Sequence, residues 1–158
     1  MPSLDHIAAL TAQEISKVIG ETVRNGKKVS ASDLENLSTK ALGVLQSQGV
    51  YAMALFLFSR SGSKSEKTDM SPEERCAVQI LSWLWTIRKP DELIKKADSS
   101  DFLSQPAIRP SQINSSKSEM LKEFADLTGD LDDLLLVREL FEQTLIYARF
   151  HAKAAKEE

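Results

Sequence analysis

One run of nine consecutive apolar residues, Val50 to Phe58, constrains this sequence most strongly. A helix that crosses a bilayer needs about 20 such residues, so the run is too short to span a membrane. A segment that is apolar on every side is expected in the middle of a folded core. A buried strand is the alternative, but Ala52, Met53, Ala54 and Leu55 favour a helix, and no partner strand is evident. We therefore predict a central helix that is buried on all sides.

Apolar residues at three- and four-residue spacing predict amphipathic helices on both sides of this run. The first starts after Ser3 and ends at Asn25-Gly26, and the second starts at a capping box, Ser32 to Glu35, and breaks at Gln46 to Gly49. Another helix starts at Ser71-Pro72-Glu73-Glu74 and stops at Pro90. It has apolar residues on two faces, which predicts burial on both sides or one face kept for another chain.

The second half of the chain continues the helical pattern. A short helix is predicted over Asp91 to Ala97, another around Met120 to Leu127, and the longest over about Leu131 to Ala155. Residues 60–71 and 98–118 lack this periodicity and are predicted surface loops, the first mobile and rich in Ser and Lys. The sequence thus predicts an all-α protein, a single-domain helical bundle of about five to seven helices over residues 1–158.

Composition places the chain among ordinary globular proteins. Its 158 residues are 42% apolar and 27% charged, with a net charge of -3, so any nucleic-acid binding must come from local patches. Cys76 is the only cysteine and lies in a helical pattern, which predicts a buried thiol in a reducing compartment. The N-terminus has no signal-peptide pattern, so we expect a cytoplasmic protein that does not bind membranes.

No catalytic or metal-binding constellation is evident in the sequence. His6 and His151 lie at opposite ends of the chain without further ligands at helical spacing. Asp130, Asp132 and Asp133 stand where a helix starts and are expected to stabilise its dipole, although a metal cluster is the weaker alternative. We therefore predict a protein without a cofactor that is not an enzyme. A small enzyme using His151 or the Asp130–Asp133 group remains a third hypothesis.

Local basic groups are the other candidate for function. Because no base-reading motif is present, any RNA contact would be made to the backbone. The alternative is that these cations are solvated, and for the C-terminal group, which also includes Arg138 and Lys156, solvation near a helix end is favoured. The candidate RNA-binding residues are Arg60, Lys64, Lys67, Arg88, Lys89, Lys95, Lys96, Arg149 and Lys153.

Three segments carry a resemblance to a known family. They are Leu45 to Val50 followed by Ala52 to Leu57, then Ile80 to Leu84, and finally Glu142 to Phe150. They resemble a helix end and glycine before an "LA-FL" helix, a "WL" pair, and a last helix with an Arg-Phe pair. With these features the chain resembles the small α-helical subunits of CRISPR effector complexes, most closely the Cmr small-subunit family of type III-B systems.

The resemblance implies a noncatalytic subunit of a crRNA-guided complex that cleaves invading RNA. Copies of it would stack as a filament beside other subunits of the ribonucleoprotein, and basic faces would help to hold the crRNA–target RNA duplex through its phosphates. The small subunits of type I-A and type III-A complexes are similar alternatives. A helical adaptor that binds only proteins is the alternative from another functional class.

Overall fold

The computed structural model describes residues 3–95 and 103–156, and these residues form an all-α bundle. Within them there are seven α-helices and no β-strand, which confirms the predicted fold class. None of the helices in these two ranges is both long and apolar enough to cross a membrane. The helices are α1 (Leu4–Ser16), α2 (Ala31–Gln48), α3 (Val50–Arg60), α4 (Pro72–Thr86), α5 (Pro90–Lys95), α6 (Lys117–Leu127) and α7 (Leu131–Lys156).

Two helices organise the core. The long helix α7 packs along α1 and α2, and α4 contacts α1, α2 and α3. Every residue from Arg75 to Leu84 in α4 is buried, so the two apolar faces of that helix are both covered, as one of the sequence interpretations predicted. Phe124 of α6 stands edge-on to Trp85 of α4 and to Phe141 of α7, and these contacts close the far side of the core.

The central apolar run forms α3, but the prediction that it is buried on all sides is wrong. Val50, Met53, Ala54, Leu57 and Phe58 are buried. Tyr51 and Leu55 are 38% and 44% exposed. The reason is that α2, α4 and α6 all pack against α3 from its other side. The helix enclosed all round is therefore α4, whose sequence is more polar than that of α3.

The first predicted helix is shorter than its apolar spacing indicated. Helix α1 ends at Ser16, and residues 17–30 form a loop in which Gly20 N donates to Val29 O and Val29 N donates to Glu21 O. Gly20 has a φ of 91°, which glycine adopts without strain. Val18, Val23 and Val29 are buried beneath the loop. These apolar side chains are therefore buried by a loop and not by a continued helix.

Helices α4 and α2 both begin with a capping box; the predicted start of α4 is confirmed and that of α2 is wrong. The box of α4 is present as predicted, with the Ser71 hydroxyl accepting from Glu74 N and the Glu74 carboxylate accepting from Ser71 N. The box of α2 is formed by Ser30 and Asp33, so the prediction of Ser32 to Glu35 is wrong by two residues. Asp serves as well as Glu in the third position because its carboxylate reaches the same amide.

The segment before α6 packs on the core more closely than a surface loop would. Of the predicted loop 98–118, residues 98–102 lie outside the described residues, as do Lys96 and Ala97 of the predicted short helix. Residues 103–116 contain two 3₁₀ turns, Pro110–Gln112 and Asn114–Ser116. Leu103 and Ile113 are buried, and Ser82 of α4 donates to Ile108 O at 2.7 Å. This segment therefore covers one side of α4.

Candidate nucleic-acid interface

The loop between α3 and α4, which carries Lys64 and Lys67, is fastened to the start of α6. The Asn114 amide donates to Ser61 O at 3.0 Å and to Lys64 O at 2.7 Å, and its oxygen accepts from the Ser61 hydroxyl at 2.8 Å. The Lys117 ammonium donates to Gly62 O at 2.7 Å. These side chains satisfy carbonyls that follow the end of α3, so the loop has a defined backbone although residues 63–69 are exposed.

Arg60 and Lys64 differ in how they are held. The Arg60 guanidinium lies 5.1 Å from the Phe56 ring centroid and pairs with the Glu73 carboxylate at 3.3 Å. Lys64 is exposed, and no carboxylate oxygen lies within 4.0 Å of its ammonium among the residues described. Lys64 is therefore the more available cation for an external phosphate, and Arg60 is partly neutralised.

The basic group at the end of α4 lies far from Arg60. Glu73, the partner of Arg60, and Trp85, the partner of Arg88, are twelve residues apart on α4, or about 18 Å. The Arg88 guanidinium stacks 3.7 Å from the Trp85 ring centroid and pairs with Glu123 at 2.8 Å. Lys89 and Lys95 are exposed, and Lys96 lies outside the described residues. Arg88 thus fastens α4 to α6.

The C-terminal cations gather around α2. The Lys156 ammonium lies 2.8 Å from the Glu35 carboxylate, and the Arg138 guanidinium donates to Gln46 O at 2.9 Å. The hydrogen bond from Lys156 lowers the pKa of Glu35, burial opposes it, and Lys153 and Arg149 lower the pKa further. The charges of Arg149 and Lys153 therefore act on a carboxylate of this chain, and of the two residues only Lys153 is exposed.

The structure brings another basic segment to the same side as Lys67. Arg24 N donates to Met70 O at 2.9 Å, so the 3₁₀ turn Arg24–Gly26 packs against the turn Lys67–Asp69. Arg24, Lys27 and Lys28 are all exposed. None of these three residues is among the candidate RNA-binding residues predicted from the sequence. Their adjacency in sequence was the available signal, but nothing in the sequence placed them beside Lys67.

The structure also locates the groups considered for catalysis. His6 and His151 are both exposed, and Asp133 N donates to Asp130 Oδ1 at 3.1 Å, which is the contact of a helix start. Asp130 raises the pKa of Asp133, with burial, Asp91 and Asp132 adding to the effect. Within residues 3–95 and 103–156 no group of three or more His, Cys, Asp or Glu side chains could hold a metal ion.

Cys76 is buried in α4, as its helical pattern predicted. Burial raises the pKa of its thiol to about 12. At neutral pH the group is therefore a protonated thiol enclosed by the core, which is not a nucleophile.

Comparisons with known proteins identify no relative. No protein-family model matches the chain, and no curated protein or solved structure matches it either.

Proposed function

We propose that this protein is a noncatalytic small subunit of a crRNA-guided CRISPR complex that targets RNA, of the Cmr type, and that it helps to hold the guide–target duplex through phosphate contacts. The observation that supports this proposal best is the fastened loop that carries Lys64. Four hydrogen bonds from Asn114, Ser61 and Lys117 fix its backbone, while the Lys64 side chain projects without a neighbouring carboxylate among the described residues.

A fastened loop suits phosphate binding for an energetic reason. Ordering a loop on binding costs conformational entropy, and a loop that is already ordered avoids most of that cost. Each Lys–phosphate contact is weak and independent of sequence, because its gain comes from counterion release. A chain with a net charge of -3 would bind RNA weakly by itself at low salt, and more tightly when several subunits contribute contacts together.

A protein-only adaptor remains the second candidate, and the exposed apolar residues favour it. Tyr51 and Leu55 lie four residues apart on α3, and Leu131 and Leu135 have the same spacing on α7. Residues four apart share one helix face, so each pair forms an apolar patch suited to another protein surface. A filament-forming subunit would use such patches as well, so only RNA binding separates the two candidates.

The test is the affinity of the assembled complex for a labelled target RNA at several salt concentrations. Lys64→Ala/Lys89→Ala removes two exposed cations that are not needed for ion pairs. Lys40→Ala/Lys122→Ala removes the same charge from exposed positions on α2 and α6 and serves as the matched control. We expect the first variant to weaken binding of every target sequence and to flatten the salt slope by about one unit per lost contact.

The two candidates give opposite outcomes in this experiment. If the chain is an adaptor, both double variants assemble normally and retain the affinity and salt slope of the unmodified complex. If neither a guide RNA nor a target RNA copurifies with the native assembly, the CRISPR assignment is wrong.

A further inference from the structure

We infer that the segment Arg24–Lys28 and the loop after α3 form one phosphate-binding surface, made of Arg24, Lys27, Lys28, Lys64 and Lys67 and called here the paired-loop surface. The inference rests on the proposed RNA-binding function and adds to it three cations that the linear sequence did not assign. Arg24 and Lys64 are forty residues apart in the chain. Only the fold places their segments on the same side of the molecule.

Two contacts hold the segments together. The main-chain hydrogen bond from Arg24 N to Met70 O, at 2.9 Å, joins the two 3₁₀ turns directly. The Glu21 carboxylate joins them a second time, because one oxygen lies 3.4 Å from the Lys67 ammonium and the other lies 2.7 Å from the Arg75 guanidinium. Glu21 therefore connects the first loop both to the second loop and to α4.

Arg75 holds the Glu21 carboxylate in place. Its side chain is only 2% exposed, and Glu21 and Gln79 are its hydrogen-bond partners. Its Nε and Nη1 atoms are buried without a partner among the residues that the structure describes. A buried guanidinium cannot lose its charge, so it retains the Glu21 carboxylate strongly. Glu21 is thus held by Arg75 through one oxygen, and its other oxygen partly neutralises Lys67. The other four cations of the surface have no carboxylate partner among the described residues.

The paired-loop surface carries a net positive charge. Five exposed cations face solvent, and the exposed carboxylates in the same two segments are those of Glu66 and Asp69. Arg24, Lys27 and Lys28 have no carboxylate oxygen within 4.0 Å in the described part of the chain. The surface is therefore a local positive region on a protein whose net charge is -3.

The composition of this surface favours phosphates over an acidic protein partner. The apolar residues in or directly beside the two segments, Val23, Val29 and Met70, are all buried. Protein interfaces draw most of their binding energy from buried aromatic or aliphatic anchors, which this surface does not offer. Contacts to an RNA backbone need none, since long flexible cations suffice. The large exposed apolar residues, such as Tyr51 and Leu135, belong to α3 and α7.

The test uses the full-length chain and a fluorescein-labelled RNA duplex, with fluorescence anisotropy measured at a series of salt concentrations. Arg24→Gln/Lys27→Gln/Lys28→Gln removes the three newly assigned cations and leaves the main-chain contact of Arg24 in place. Lys40→Gln/Lys122→Gln/Lys156→Gln removes three exposed cations from α2, α6 and the end of α7 as the matched control. We expect the first variant to lose two to three units of salt slope, at about one unit per contact, and the control to lose none.

Each outcome supports or overturns a specific statement. If the Arg24 triple variant binds like the unmodified chain while Lys64→Ala/Lys89→Ala weakens binding, the RNA-binding function stands and the paired-loop surface is wrong. If the unmodified chain does not bind the duplex even at low salt, the RNA-binding function itself is wrong. If the two triple variants lose equal slope, binding is a diffuse charge effect and the assignment to these loops fails. Thermal melts of all variants should coincide, because exposed charges contribute little to stability.

Discussion

The ion pair between Glu21 and Arg75 allows a stability prediction in which the two partners behave differently. The Arg75 guanidinium is almost fully buried, whereas the Glu21 side chain is 30% exposed and also lies near Lys67. Removing the carboxylate leaves a buried charge without its counterion. Removing the guanidinium leaves a carboxylate that still reaches solvent and another cation. We therefore expect Glu21→Gln to destabilise the protein much more than Arg75→Met.

The magnitudes follow from the contacts that each substitution removes. Breaking a buried pair from one side costs about 3–5 kcal/mol, and Glu21→Gln should fall near 3 kcal/mol because Glu21 is partly exposed. Arg75→Met loses a charged hydrogen bond of about 1.5–3 kcal/mol and the bond to Gln79, about 1 kcal/mol. It also removes two buried nitrogens without partners, each of which costs about 1–3 kcal/mol in the native protein. The terms nearly cancel, so Arg75→Met should lie within about 1.5 kcal/mol of the unmodified protein.

Urea unfolding followed by far-UV circular dichroism at neutral pH measures both free energies. The double variant Glu21→Gln/Arg75→Met is the control, since it removes both charges. It should resemble Arg75→Met alone, because the cost of Glu21→Gln exists only while Arg75 is present. An Arg75→Met variant that loses more stability than Glu21→Gln would refute the reasoning, and it would show that the buried guanidinium stabilises the fold.

Three further predictions concern α3, the turn after it and the buried thiol. Leu57→Ala should cost about 2–5 kcal/mol in urea unfolding because Leu57 is fully buried, whereas Leu55→Ala should cost well under 1 kcal/mol; equal losses would contradict the placement of α3. Gly62→Ala should lower the free energy of unfolding by about 2 kcal/mol, since Gly62 has a φ of 70° and an added Cβ would collide with the Glu74 carboxylate of the capping box. Gly43→Ala, where an added Cβ within α2 meets open space, is the control and should not lower it. The pKa of the Cys76 thiol is raised from 9.0 to about 12, so above pH 9 the thiol keeps its proton in the native state and loses it in the unfolded chain. The free energy of unfolding should therefore fall by up to about 1.4 kcal/mol per pH unit above pH 9, and a Cys76→Ala variant should lack this component.

The sequence predicts the start of α4 correctly because the chemistry of that start is local. Ser71 and Glu74 each accept a hydrogen bond from the other's main-chain amide, and Pro72 at the first helical position has no N–H that needs a partner. Such contacts form in any helix that begins there, so no knowledge of distant residues is needed. The all-α class is predictable for the same reason, because three- and four-residue apolar spacing recurs through most of the chain.

Burial around a helix is harder to predict because it depends on how many neighbours the helix has. Leu55 lies in the most apolar segment yet is 44% exposed, while Gln79 and Ser82 lie in α4 and are buried. Gln79 donates to Glu14 O, and Ser82 donates to Ile108 O, so each polar group is satisfied by a segment distant in sequence. Apolar content alone therefore predicts that α3 is enclosed on all sides, whereas the enclosed helix is α4.

The availability of each cation follows from the same distant contacts. In the sequence, the candidates Arg60, Lys64, Arg88 and Lys89 are of equal rank. In the fold, Glu73 and Glu123 pair with the two arginines. The two lysines remain exposed. A count of charges along the chain overestimates the number of free cations in a predicted patch, because the carboxylates that pair with them lie thirteen or thirty-five residues away in the sequence. It also understates them where two loops meet, as Arg24 and Lys67 do. A phosphate-binding surface is therefore better sought among exposed cations on fastened backbone, such as Lys64 and Lys28, than among the densest basic stretches of sequence.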